Sequence, residues 1–116
     1  MINDKYILND DGDPVACSDY RIWAEWFERT QRDRSRVLKQ DYAEEEATTV
    51  GVSTVFLGLD HNFTGDGPPV LWESLVFGTS LDGEMQRYST RAHALQGHDH
   101  LLRRVRAAYA AERRDR

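Results

Sequence analysis

The chain has 116 residues, of which 40% are hydrophobic and 30% charged, and a formal net charge of −5. That length supports one hydrophobic core, and that balance belongs to a folded chain rather than a disordered one. One cysteine excludes an internal disulfide framework, and no apolar run approaches the ~20 residues that cross a membrane.

Tyr6, Ile7 and Leu8 form a short apolar run, followed by the turn-forming Asn9-Asp10-Asp11-Gly12-Asp13-Pro14 and a second apolar run from Val15 to Cys17. This pattern predicts an N-terminal hairpin. Ser18 and Asp19 are helix-capping residues. From Asp19 to about Thr30, Ile22, Trp23, Trp26 and Phe27 recur at helical spacing, with Glu25, Glu28 and Arg29 on the other side. Arg36 to Tyr42 reads as a strand with Leu38 and Tyr42 on one face and Val37 on the other. Ala43 to Ala47, with Glu44-Glu45-Glu46, reads as a solvated turn.

Thr48 to Leu59 is rich in β-branched residues and reads as extended. Val50, Val52, Thr54 and Phe56 line one face, and Ser53, Val55, Leu57 and Leu59 the other. Apolar groups on both faces predict a central strand covered at least in part on both sides. Asp60 to Pro69 is a loop with two glycines and two prolines, Val70 to Phe77 a strand, and Gly78 to Gly83 a turn ending in Asp82-Gly83. Glu84 to Tyr88 is a shorter, more polar strand near an edge. Ser89 or Thr90 caps a last helix whose core stripe is Ala94, His98, Leu101, Val105 and Ala108, with Gly97 placed for close packing on a sheet. The basic run from Glu112 to Arg116 is expected to fray after Ala111.

The order is therefore ββαββββα. It predicts an α+β domain over residues 1–112: an antiparallel sheet of about four main strands plus an N-terminal hairpin, with two helices packed on it and a frayed basic end at 113–116.

Among chemistry-bearing groups, Asp60, His61 and Asn62 stand first because a well-specified strand fixes their place, with Asp66 in the same loop. An Asp beside a His can orient an imidazole or hold a metal. Asp and Asn in such loops also bond their own backbone, which accounts for them without a ligand. His93, His98 and His100 lack the i, i+4 spacing of a helical zinc site, so none is assigned to a metal. His98, on the apolar stripe, reads as a core histidine with a hydrogen-bond partner. Cys17 reads as a semi-buried thiol. No phosphate-binding loop or nucleophile motif is present, and no cofactor is expected.

The charge is unevenly spread. Residues 103–116 hold six arginines against Glu112 and Asp115, and the rest of the chain is acidic. An acidic body disfavours general nucleic-acid binding, which needs clustered Lys and Arg. Candidate partner-binding residues are the aromatic Tyr20 and Trp23, the acidic Glu44, Glu45 and Glu46, and the basic Arg103 and Arg106.

The segments Val52-Ser53-Thr54-Val55-Phe56-Leu57-Gly58-Leu59-Asp60-His61, Gly67-Pro68-Pro69, Leu71-Trp72-Glu73, Val76-Phe77-Gly78, Leu81-Asp82-Gly83-Glu84 and Arg87-Tyr88-Ser89-Thr90 carry a family resemblance. Asp11 to Val15 and the helix around Trp23 to Glu28 fit it too. On these residues the chain resembles a family of small uncharacterised proteins encoded by tailed bacteriophages and prophages. The resemblance implies a phage or prophage context and no particular activity; with the lone Cys17, which makes a reducing setting the default, the expected location is the cytoplasm of a bacterial host cell. Glu44-Glu45-Glu46 and the basic tail depart from the pattern. The leading expectation is a non-enzymatic accessory protein that binds another protein, such as an inhibitor of a host defence component or other host factor, and a dimer is compatible with it. One alternative is a small-ligand or metal site at the 60–67 loop. A weaker one is nucleic-acid contact through the basic C-terminal helix end.

Overall fold

A computed structural model describes residues 3–45 and 48–115. It has the ββαββββα order: β1 (Tyr6–Leu8), β2 (Pro14–Ala16), α1 (Tyr20–Asp33), β3 (Val37–Glu45), β4 (Thr48–Phe56), β5 (Trp72–Phe77), β6 (Met85–Tyr88) and α2 (Arg91–Arg114). The class is α+β, with an antiparallel four-stranded sheet ordered β3-β4-β5-β6 and a separate β1-β2 hairpin. The hairpin is tied to the chain beyond β4 by Tyr6 N–H donating to the Gly58 carbonyl at 3.0 Å and Asp60 N–H to the Asp4 carbonyl at 2.8 Å.

Both helices start as their caps predict. The Asp19 carboxylate accepts from the N–H groups of Arg21 and Ile22, at 3.0 and 3.2 Å, and the Thr90 hydroxyl accepts from His93 N–H at 3.0 Å. Helix α1 runs past Thr30 to Asp33. There Asp33 takes the Ser35 N–H at 2.8 Å, and Arg34 turns the chain in the left-handed region at φ 61°. Helix α2 likewise continues beyond Ala111 to Arg114. Its basic end suits the helix dipole, and Arg113 donates to the Tyr109 hydroxyl at 2.6 Å.

Two further expectations are corrected. Strand β3 runs through Glu44 and Glu45, where the acidic run predicts a turn; charged residues are compatible with a strand at the end of a sheet. The side chains of these two glutamates, and Glu46 altogether, lie outside the described residues. The second correction concerns the faces of β3. A register shift between Val37 and Lys39 sends Leu38 into the core beside Trp26 and Phe56. Tyr42 instead stacks edge-on to Phe77 on the opposite face, at 5.5 Å. Strict alternation fails at such a bulge.

The core lies between the sheet and α2. Val52, Thr54 and Phe56 of β4 and Trp72, Ser74 and Val76 of β5 are buried on one face, under Ala94, His98, Leu101 and Val105. Helix α1 closes the Phe56 end of this face through Trp26. Gly58, at φ 76°, lets the Phe27 ring approach: a Cβ there would stand 3.2 Å from that ring. The opposite face of the sheet, carrying Ser53, Val55, Glu73, Leu75 and Phe77, is half-exposed and meets the last turn of α1 at its Val55 end. Coverage of the sheet is therefore strongly one-sided.

Candidate functional site

The loop after β4 is closed by its own polar groups. One Asp60 carboxylate oxygen accepts from Asn62 N–H at 2.8 Å and Val70 N–H at 2.9 Å. The Asn62 amide donates to the carbonyls of Asp66 and Pro68, at 2.6 and 3.0 Å, and its oxygen accepts from Thr64 N–H and hydroxyl, at 3.1 and 2.6 Å. His61 Nδ1 lies 2.9 Å from the Leu59 carbonyl, which only accepts, so Nδ1 carries the hydrogen. Asp60 therefore holds backbone amides and not the imidazole, and Asp66 contributes its carbonyl. A broad open groove of about 650 Å³ runs past Lys5, Tyr6, Asn62 and Phe63, and His61 does not line it.

A second polar cluster lies inside the core, and sequence reading assembled only one member of it. His98 Nε2 is 2.7 Å from Asp41 Oδ2, and His98 Nδ1 is 2.7 Å from Thr54 Oγ1. Thr54 Oγ1 is 2.5 Å from Ser74 Oγ, and the Tyr88 hydroxyl donates to Ser74 Oγ at 3.1 Å. Asp41 comes from β3, Thr54 from β4, Ser74 from β5, Tyr88 from β6 and His98 from α2. One chain thus threads every strand of the main sheet and its helix.

The directions of these bonds follow from the donor inventory. A carboxylate accepts, so Nε2 of His98 bears hydrogen, and a neutral ring then offers Nδ1 as acceptor to the Thr54 hydroxyl. Thr54 in turn accepts from Ser74, and Ser74 from Tyr88. Each member donates to the next, ending at the Asp41 carboxylate, which is the condition for placing polar groups in an apolar core at low cost. Burial pushes the Tyr88 phenol above its ordinary value, with the Ser74 contact opposing the shift. Gly97 makes the last link, because a Cβ there would stand 2.1 Å from the Tyr88 hydroxyl oxygen.

Carboxylate, imidazole and hydroxyl in this order are the components that activate a nucleophile. Here Thr54, Ser74 and His98 are each 0% exposed, so the hydroxyls face core and not a substrate. What the chain does chemically is fix the ring, the hydroxyl rotors and the strand register. Tyr88 at one end is half-buried, and the Asp41 end reaches the surface. Beside it, between β3, β4 and α2, lies a cleft of about 170 Å³ lined by Asp41, Tyr42, Val50, Leu102, Val105 and Tyr109, with Arg106 at its rim. Lys39 and Asp99 pair nearby at 2.9 Å, which lowers the Asp99 carboxyl and raises the Lys39 ammonium from their ordinary values.

The other candidate residues are dispersed. Tyr20 is exposed at the start of α1. Trp23 is half-buried, stacks on Phe27 at 4.8 Å and donates its indole N–H to the Gly58 carbonyl at 2.9 Å. Arg103 and Arg106 are exposed on α2. His93 and His100 are exposed, and Cys17 is buried with its thiol 3.6 Å from the Asp19 carbonyl. Among the described residues, no three His, Cys, Asp or Glu side chains converge as metal ligands, and no helix is long and apolar enough to cross a membrane. The signal for the buried chain was His98 on an apolar stripe. Its partner Asp41, 57 positions away, carries no local mark.

No family model, curated protein or solved structure matches the chain.

Proposed function

We propose that the protein is a non-enzymatic binding module that acts by engaging another protein, in the manner of a phage or prophage accessory factor that inhibits a host defence component or another host factor. The observation that carries the binding reading is the sheet face away from α2. Tyr42 and Met85 are 41% and 45% exposed there, beside half-exposed Val55, Leu75 and Phe77. A grouped apolar surface of this kind is a feature of interaction sites. The Glu73–Arg87 ion pair, at 3.0 Å, gives it a polar border. Full burial of Thr54 and Ser74 supports binding over catalysis, since the hydroxyls that a carboxylate–imidazole pair would activate are enclosed. The phage context rests on the resemblance of residues 52–90.

A photo-reactive phenylalanine analogue placed singly at Tyr42, Met85 and, as control, the exposed Gln96 of α2 tests this in lysate of the bacterial host. One predominant protein cross-linked from Tyr42 and Met85 but not from Gln96 is the expected result. Equal labelling from all three positions, or none from the sheet face, overturns it.

A further inference from the structure

The end of α1 and the start of β3 hold Arg29, Arg32, Arg34 and Arg36 against one acid, Asp33, which is engaged by the Ser35 N–H at 2.8 Å. This excess outweighs the roughly half negative charge of the helix end on which it sits. Two of these arginines, Arg34 and Arg36, line one open pocket of about 280 Å³ together with Gln31, Val37, Ser53 and Val55. The Arg36 guanidinium is fixed at its wall: it lies 3.9 Å over the Phe27 ring and donates to the Thr30 hydroxyl at 3.0 Å and to the Gln31 side-chain oxygen. Those bonds use Nε and Nη2, and Nη1 has no acceptor among the described residues. Neither Arg34 nor Arg36 has an ion-pair partner among the described residues. Burial pushes the Arg36 guanidinium below its ordinary value, so a half-buried charge stands there without a counter-charge. The half-buried Ser53 hydroxyl also has no hydrogen-bond partner among the described residues. Val37 and Val55, opposite each other in the β3–β4 register, give the pocket an apolar side. Arg34 holds the left-handed region at φ 61°, a position that ordinarily takes Gly or Asn, and strain of this kind gathers at binding sites.

We propose that this pocket binds a phosphomonoester carried on an aromatic ring, with Arg34, Arg36 and Ser53 holding the phosphoryl oxygens and Val37 and Val55 against the ring. Apolar cavities of about 150 Å³ accept benzene, so 280 Å³ holds one ring with a tetrahedral oxyanion beside it. A phosphoryl group brings close to two negative charges and three acceptor oxygens. Two guanidinium forks and a hydroxyl match that set better than they match the single charge and two oxygens of a carboxylate. The ligand thus supplies the counter-charge that both arginines lack. The pocket adjoins the open sheet face at Val55, and its assignment is independent of whether that face binds a protein. A phosphotyrosine side chain and a free aryl phosphate offer the same chemistry.

The probes are phenyl phosphate and inorganic phosphate, titrated into the full chain labelled for NMR at a pH of about 7.5, above the second phosphate pKa of about 6. Shifts are expected at the Arg36 Nε–H, at the amides of Arg34 to Val37 and at the methyl groups of Val37 and Val55. Phenyl phosphate binds roughly tenfold more tightly than inorganic phosphate, because the ring leaves water. Arg36→Gln weakens phenyl phosphate at least about tenfold, and Arg36→Lys, which keeps the charge but loses the fork, roughly fivefold. Ser53→Ala weakens it roughly threefold and, as a half-exposed change, keeps the fold, so the site is tested even where Arg36→Gln does not fold. Arg91→Gln, which removes a charge at the start of α2, leaves the affinity unchanged. Acetyl-phosphotyrosine-amide binding more tightly than phenyl phosphate assigns the ligand to a phosphorylated protein, and weaker binding assigns it to a free aryl phosphate. No shift around Arg36 at millimolar phenyl phosphate overturns the proposal. So do shifts confined to the arginines of α2, equal weakening by Arg36→Gln and Arg91→Gln, or inorganic phosphate binding as tightly as phenyl phosphate.

Discussion

The chain builds two polar clusters along β4 and its continuation, and it satisfies them in opposite ways. In the 60–69 loop, Asp60 and Asn62 bond backbone groups within ten residues of themselves. In the core, Asp41, His98, Thr54, Ser74 and Tyr88 bond one another across separations of up to 57 residues. The loop shapes itself at the surface, whereas the core chain ties five elements together around the fully buried Thr54, Ser74 and His98. A buried hydrogen bond costs far more to leave unmade than to replace with water at the surface. The cluster that resembles chemistry is therefore enclosed, and the surface we propose for a partner is the apolar sheet face.

Removing the centre of the core chain is expected to have the largest effect. His98→Leu keeps apolar volume but strands the Thr54 hydroxyl and leaves Asp41 Oδ2 without its donor. A loss of about 3 kcal/mol is expected, from a lost hydrogen bond to the Asp41 carboxylate, whose side chain is 35% exposed, together with a buried hydroxyl left without its acceptor. Urea unfolding reads it as a lower midpoint at unchanged slope. A loss below about 1 kcal/mol would mean the chain contributes no more than a surface hydrogen bond.

The contact at the far end of the chain comes next. Gly97→Ala gains about 1 kcal/mol of helix propensity, yet its Cβ has to displace the Tyr88 ring from 2.3 Å. The overpacking term is about 1–3 kcal/mol, so a net loss of about 1 kcal/mol is expected. In a Tyr88→Leu background the same substitution should become neutral or stabilising. An equal loss in both backgrounds would place its origin elsewhere than in this contact.

Much of this fold was readable in advance, and the reasons separate cleanly. Element order, both helix caps, the apolar stripe of α2 and the close approach at Gly97 follow from local patterns of period 3.6 and 2. The bulge after Val37 was not readable, because it depends on how β3 meets β4. The continuation of β3 through its acidic residues was missed because Glu-Glu resembles a turn whenever an exposed end strand is not considered. His98 was recognisable as a core histidine awaiting a partner. Thr54 and Ser74 were not, since one hydroxyl in a β-branched strand looks like any other. The loop was legible in type, because Asp and Asn after a strand favour Asx-type closure.

Smaller effects are expected in that loop. Asn62→Ala deletes a side chain that bonds the Asp66 and Pro68 carbonyls and accepts from Thr64, all in an exposed setting. A loss of about 1 kcal/mol is expected, with faster amide exchange at Thr64. His61→Ala should cost less, about 0.5 kcal/mol, because one exchangeable backbone contact is lost. A loss at His61 matching that of His98→Leu would erase the distinction between the two clusters and return the loop to the centre of the molecule's design.

The Lys39–Asp99 pair, beside the core chain but outside it, gives the smallest effect and a direction in pH. Lys39 donates to Asp99 at 2.9 Å and holds its carboxyl below the ordinary value. A carboxylate lowered on folding contributes stability above its unfolded value of about 3.9, and that contribution is lost as pH falls through the folded value. The raised Lys39 ammonium contributes fully below about 10.4 and loses its contribution as pH rises through its folded value. The pair is therefore complete between roughly pH 5 and pH 9. Both side chains are well exposed, at 41% and 50%, so the contribution is small and screened by salt. Comparing Asp99→Asn with the parent by urea unfolding should show a difference at pH 7 that shrinks at pH 3 and again in about 1 M salt. A difference that persists undiminished at pH 3 would show that Asp99 acts by something other than its charge.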